Sequence, residues 1–180
     1  MKYMLLTAIS VLVISTSAFA QDDIEKALSA APARLRKDAT VIRWKPDHTY
    51  EILKKGTSDV VCYDRSGFPL QRPFSIECTS TMANLDRVAQ NMKFEASGDK
   101  AKAQAMLDAA EKDGTRVKPV YGSVWYHLQG ADQEHANTHV TIAVPGATTQ
   151  STGLPEKGDQ GTVWIMNAGT STAHLMTPGE

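Results

Sequence analysis

The spacing of the apolar residues changes twice along this chain, from every second position to every third or fourth and back again, and that order leaves few folds open. "TVIRW" (Thr40–Trp44), "TYEILKKG" (Thr49–Gly56) and "DVVCYD" (Asp59–Asp64) are rich in β-branched residues and broken by a Gly56-Thr57-Ser58 turn, which predicts a small antiparallel meander. "RSGFPLQRPF" follows as a loop punctuated by Gly67, Pro69 and Pro73. Met82, Leu85, Ala89 and Met92 then recur on one helical face behind the possible caps Thr79 and Ser80. A second helix, "DKAKAQAMLDAAEKDG", is capped by Asp99, carries a stripe of Ala103, Met106, Leu107 and Ala110, and ends at Gly114. The last third returns to strands: "VYGSVWYHLQG", "HVTIAVPG", "GTVWIMNAG" and "HLMTP", with a polar, turn-rich loop over Ala147–Gln160. Strands, helices, then strands without regular alternation predict an α+β fold: an antiparallel sheet of about five to seven strands with two or three helices packed on it.

The first twenty residues place Lys2 ahead of an apolar run from Met4 to Ile14 and close on Ala18-Phe19-Ala20, the pattern of a secretory signal peptide cleaved near Ala20. The run is too short to span a bilayer, which takes about 20 apolar residues. Residues 21–180 are expected to form a single α+β domain in the periplasm or outside the cell, opening with a helix from about Asp22 to Ala30 that Pro32 interrupts. Export brings Cys62 and Cys78, the two cysteines of the chain, to an oxidising compartment, so one structural disulfide is expected. Without Lys2, 18 basic and 20 acidic residues remain, with neither sign gathered in runs. A nucleic-acid partner or an anionic membrane surface is therefore not expected, because both need a basic patch.

Candidate chemistry concentrates in "YHLQGADQEHANTHVTIAVPG", which holds His127, His135 and His139, three of the five histidines. "HANTH" has the outer spacing of the helical motif H-E-x-x-H, but Ala136 stands where the general-base glutamate belongs. His139 also opens a strand, so the helical geometry that gives the spacing meaning is not expected. Two readings stay open. In one, His139 and His174, with His127 or His135 as a third group, hold zinc or copper. In the plainer one, His127 and His139 are half-buried strand residues and His135 is solvated in a turn. No G-x-S-x-G elbow or phosphate-binding glycine loop occurs, and the pair Ser171 and His174 is too little to name a triad. Trp44, Trp125 and Trp164 fall on separate strands, as core residues or as a binding platform.

"GSVWYHLQG", "THVTIAVPG" and "WIMNAGTSTAHLMTP" resemble a group of uncharacterised secreted bacterial proteins that share a signal peptide, a strand ending in an "LQG" turn, an "HVxI" strand and a closing "AGTxxAHLMxP". The match runs mainly from Cys62 to Pro178 and is weakest in the central helices. It implies a bacterial source and an exported protein, and it points to Gln129, Gly130, His139, Gly169, Thr170 and His174; it implies no activity. If the "HVTI" and "HLM" strands begin side by side, Gln129, His139, Thr170, Ser171 and His174 would form a small polar pocket at one end of the sheet. The leading expectation is an exported binding or envelope-associated module without catalytic turnover or cofactor, taking a protein or small-molecule ligand. A histidine-dependent metal-binding protein or small hydrolase is the first alternative. A secreted inhibitor or interaction protein that presents the Ala147–Gln160 loop is the second.

Overall fold

The computed structural model describes the backbone of residues 15–160 and 163–178, and most of the expected leader lies outside the described residues. Helix α1 (Ser15–Leu28) and the short α2 (Ala33–Arg36) precede strands β1 (Thr40–Trp44), β2 (Tyr50–Lys54), β3 (Val61–Asp64) and β4 (Phe74–Thr79). Helices α3 (Leu85–Glu95) and α4 (Lys100–Asp113) follow, then β5 (Val124–Gly130) and β6 (Asn137–Ala143). The short α5 (Thr149–Thr152), β7 (Trp164–Met166) and β8 (His174–Met176) complete the α+β fold. Among the described residues eight strands join one sheet in the order β2-β1-β3-β4-β5-β6-β8-β7, a strand more than the upper expectation.

The first three strands are not a meander. β1 pairs antiparallel with β2 but parallel with β3, so the chain crosses back over β1. Burial explains the order. Tyr50, Glu51 and Ile52 of β2 are exposed and suit an edge, whereas Val61, Cys62 and Tyr63 of β3 are buried on both faces and belong inside the sheet. The crossing passes so close to β1 that a Cβ on Gly56 would lie 2.2 Å from the Asp38 carbonyl oxygen, so only glycine fits there. The amides of Thr57 and Ser58 both donate to that same oxygen, which pins the crossing in place.

β4 is the element that the sequence did not announce, and it is central. Phe74, Ile76 and Cys78 alternate with Ser75, Glu77 and Thr79, and all six residues are buried. Polar residues on a buried strand face carry a cost unless something meets them, and that face is where the candidate site lies. Thr79 belongs to this strand, so it caps no helix. The residue that does cap is Thr81, whose side chain accepts from the Ala83 amide at the turn leading into α3. Asp99 and Gly114 bound α4 as their chemistry predicts, the former accepting from the Ala101 and Lys102 amides and the latter at φ 77°. Met106, expected in the stripe, is exposed, and Ala110 is the buried residue of that helix.

The two faces of the sheet have different roles. On one, Ala30 and Ala31, just beyond α1, pack over Cys62, Phe74, Ile76 and Cys78. Cys62 and Cys78 are direct cross-strand partners there and form the expected disulfide. Replacing both cysteines with alanine is expected to cost about 3 kcal/mol in the chain-entropy model, read from urea denaturation with and without reductant. On the other face Leu85, Val88 and Met92 of α3 pack against Ile42, Trp44, Val61 and Tyr63. The expected solvent loop over Ala147–Gln160 contains α5, whose Thr148 and Ser151 form a capping box, and Pro155 accepts a hydrogen bond from the Ile165 amide.

Candidate functional site: a histidine-lined cleft

Strand register builds the site. Ile42, Tyr63, Glu77, His127 and His139 are successive cross-strand partners on β1, β3, β4, β5 and β6, one row across the α3 face. The row begins apolar beneath α3 and turns polar at Glu77. Next to it runs a second row of Thr79, Trp125, Thr141 and Met176. His174, on β8, pairs with Ala143. Between this polar floor and α3 opens a cleft of about 370 Å³, within the usual range for small-ligand sites. Glu77, Trp125, His127, His139 and His174 line it, together with Arg65 and Arg87.

The imidazoles of His127 and His139 stack with their centroids 4.4 Å apart and their planes 9° from parallel. Nδ1 of His127 lies 3.8 Å from Glu77 Oε1, and Nε2 lies 3.4 Å from Thr141 Oγ1. Glu77 is 7% exposed. His174 Nδ1 is 2.8 Å from the Thr172 carbonyl oxygen, which can only accept, so Nδ1 carries the proton and Nε2 is left as an acceptor.

Burial is the main influence on all three rings. It holds His127 down at about 4, helped by the nearby His174 and Arg65 charges. His139 is likewise held at about 4 by burial and by His127, with Glu77 opposing. Burial also lowers His174, against the Thr172 carbonyl, which favours its charged form. At neutral pH the cleft therefore presents three neutral imidazoles.

Arg65 supports this floor from the α3 side. It is 3% exposed and donates to Glu95 Oε2 at 2.5 Å, and Gln71 Nε2 donates to the same oxygen at 2.9 Å. Burial works against the Arg65 cation, but Glu77 and Glu95 outweigh it. Two buried polar atoms here lack a hydrogen-bond partner among the described residues: His127 Nδ1 and Arg65 Nε. Such atoms are uncommon in folded proteins, and water or a ligand can supply the missing partner.

The antiparallel β6–β8 register divides the sequence-predicted pocket. It places the start of β6 and the start of β8 at opposite ends of the pair, so His139 and Gln129 lie toward one end and Thr170, Ser171 and His174 toward the other. Gln129 donates to Ser75 Oγ at 3.1 Å beside the Gly130 turn, where a Cβ would meet the His135 carbonyl oxygen at 2.4 Å. Thr170 donates to the Asn167 carbonyl, and Ser171 bonds Glu111 of α4 through both its hydroxyl and its amide. His139 and His174 nevertheless both line the cleft, and His174 acts on the charge of both His127 and His139. His135 is exposed and hydrogen-bonded to Asp132 at 2.7 Å.

For a metal, lone pairs must converge on one point, and parallel stacked rings direct their in-plane nitrogens side by side. Among the described residues no group of three or more His, Cys, Asp or Glu side chains is placed to hold an ion. Sequence reasoning missed Glu77, Arg65, Thr141 and Arg87. The one available signal was the alternation of Ser75, Glu77 and Thr79 with Phe74, Ile76 and Cys78. Among the described residues no helix is long and apolar enough to cross a membrane. No family model, curated protein or solved structure matches this chain.

Proposed function

We propose that this is an exported binding module that holds a small polar ligand in the cleft between α3 and the histidine face of the sheet. The observation that carries the reading is the row Glu77–His127–His139, a polar floor under the cleft in which His127 Nδ1 is buried without a hydrogen-bond partner among the described residues. Trp125, 9% exposed and lining the same cleft, supplies an aromatic wall. Binding fits the acid–base character better than turnover does. A general base works best with a pKa near the working pH, and His127 and His139 sit at about 4. The disulfide agrees with an oxidising compartment, and export through the leader is part of the proposal.

The test is a fragment screen on the full chain, followed by the ring proton signals of His127, His139 and His174. Fragments that move these three together, with no product formed, are the expected result. A screen in which bound fragments move other residues and leave these rings unchanged would sink the reading. A hydrolase is the second reading, favoured by the line Glu77–His127–Thr141, in which a carboxylate, an imidazole and a hydroxyl follow in order. Turnover of p-nitrophenyl acetate that Thr141→Val abolishes and Thr141→Ser keeps would establish it instead. Zinc or copper binding that His139→Ala removes would establish the metal alternative.

A further inference from the structure

Arg87 projects from α3 into the cleft, and its surroundings differ from those of the other cleft arginine. Arg65 has its carboxylate, Glu95. Arg87 has one hydrogen bond, from Nη1 to the Val117 carbonyl at 2.8 Å, and no carboxylate pairs with it among the described residues. Glu111, the acid that favours its charge, is already engaged by the hydroxyl and amide of Ser171. A like charge, Arg116, lies close enough to work against it. Arg116 itself is held by the amide oxygens of Gln90 and Asn91, both at 2.5 Å, so it adds positive charge without a compensating carboxylate contact. Burial and Arg116 together push Arg87 down to about 10. A half-buried guanidinium that faces a cavity and lacks an anion is a site where an anion would be bound strongly, because its fork matches two carboxylate oxygens.

The other cleft groups narrow the class. Asn91 lines the cleft and uses its Oδ1 on Arg116, which leaves its NH₂ as a second donor beside Arg87. His174 presents an acceptor nitrogen, which cannot bond a carboxylate oxygen. The anion is therefore held from the α3 side, by Arg87 and Asn91, and the rest of the ligand lies over the imidazoles. We infer that the ligand of this cleft is a small organic carboxylate, bound as its anion with the carboxylate on Arg87. This rests on the cleft being a ligand site, as proposed above.

The experiment compares carboxylates with their matched primary amides, which keep the shape and lose the charge: acetate with acetamide, lactate with lactamide and benzoate with benzamide. Each is titrated into the full chain while the imidazole signals of His127, His139 and His174 are followed. The acids are expected to bind about tenfold or more tighter than their amides, and Arg87→Gln to remove that difference by weakening the acids far more than the amides. Should that variant fold poorly in a thermal melt, Arg87→Lys, which keeps the charge and loses the fork, is expected to reduce the preference for acids. Acids and amides binding equally would overturn the carboxylate assignment and leave the cleft as a ligand site. Binding of both kinds with no change at the imidazoles would overturn the cleft reading as well.

Discussion

Acidification from pH 7 to pH 4 is expected to cost this fold about 4 kcal/mol through its histidines alone. His127 has an ordinary value of 6.5 and sits at about 4 in the folded protein, so between those limits the unfolded chain binds the proton that the folded one refuses. Its contribution is complete above pH 6.5 and is lost as pH falls toward 4. A difference of that size is worth about 3 kcal/mol for His127. His139 has the same direction but is half exposed, so solvent screening leaves it about 1 kcal/mol. Urea denaturation at pH 7.5, 6, 5 and 4 would show the loss. Buried carboxylates also respond at the acid end, so the decisive comparison is with His127→Asn, whose curve between pH 6.5 and 4 should be flatter by about that 3 kcal/mol. Parallel curves for the two proteins would mean that His127 is not held neutral in the fold.

Replacing Arg65 with methionine is expected to lower stability by about 3–5 kcal/mol at neutral pH, the range for removing one partner of a buried ion pair. The loss comes chiefly from what is left behind. Glu95, bonded to Arg65 at 2.5 Å, and Glu77, 7% exposed, would lose the cation that faces both. Adding Glu95→Gln to the Arg65→Met chain should therefore recover part of the loss, giving a favourable coupling in a double-variant cycle. The histidine signals should shift as well, because Glu77 and Arg65 both act on these rings. An Arg65→Met protein within about 1 kcal/mol of the parent would show that the pair contributes little and that the floor of the cleft is held by β-pairing alone.

The local chemistry of this chain was readable wherever one short-range rule decided the outcome. Asp99 and Gly114 mark the ends of α4 because side-chain capping and a left-handed residue act within a single turn. His139 lies in a strand, and Asn137 and Thr138 beside it are β-paired, so the four-residue spacing of His135 and His139 has no helix to give it meaning. β4 escaped because a strand buried on both faces need not look apolar when one face serves a polar site: Ser75, Glu77 and Thr79 read as loop chemistry and are interior. The apparent meander failed for a different reason. The hydrophobic pattern places strands in sequence order, and only the relative burial of β2 and β3 says which of them takes the edge.

The histidines show the same division. Sequence alone established that this is an α+β chain with one pair of cysteines, no long run of either charge, and a cluster of imidazoles on strands, because those properties follow from composition and from periods of a few residues. Tertiary structure decided which imidazoles meet. Register is set across strands far apart in the chain, and a shift of one residue would turn His127 and His139 to the opposite face. It also brought in Glu77 and Arg65, which lie 50 and 62 positions before His127, and Arg87, which comes from a helix rather than the sheet. No local pattern can encode such a meeting, since the free energy that selects it comes from the packed sheet as a whole.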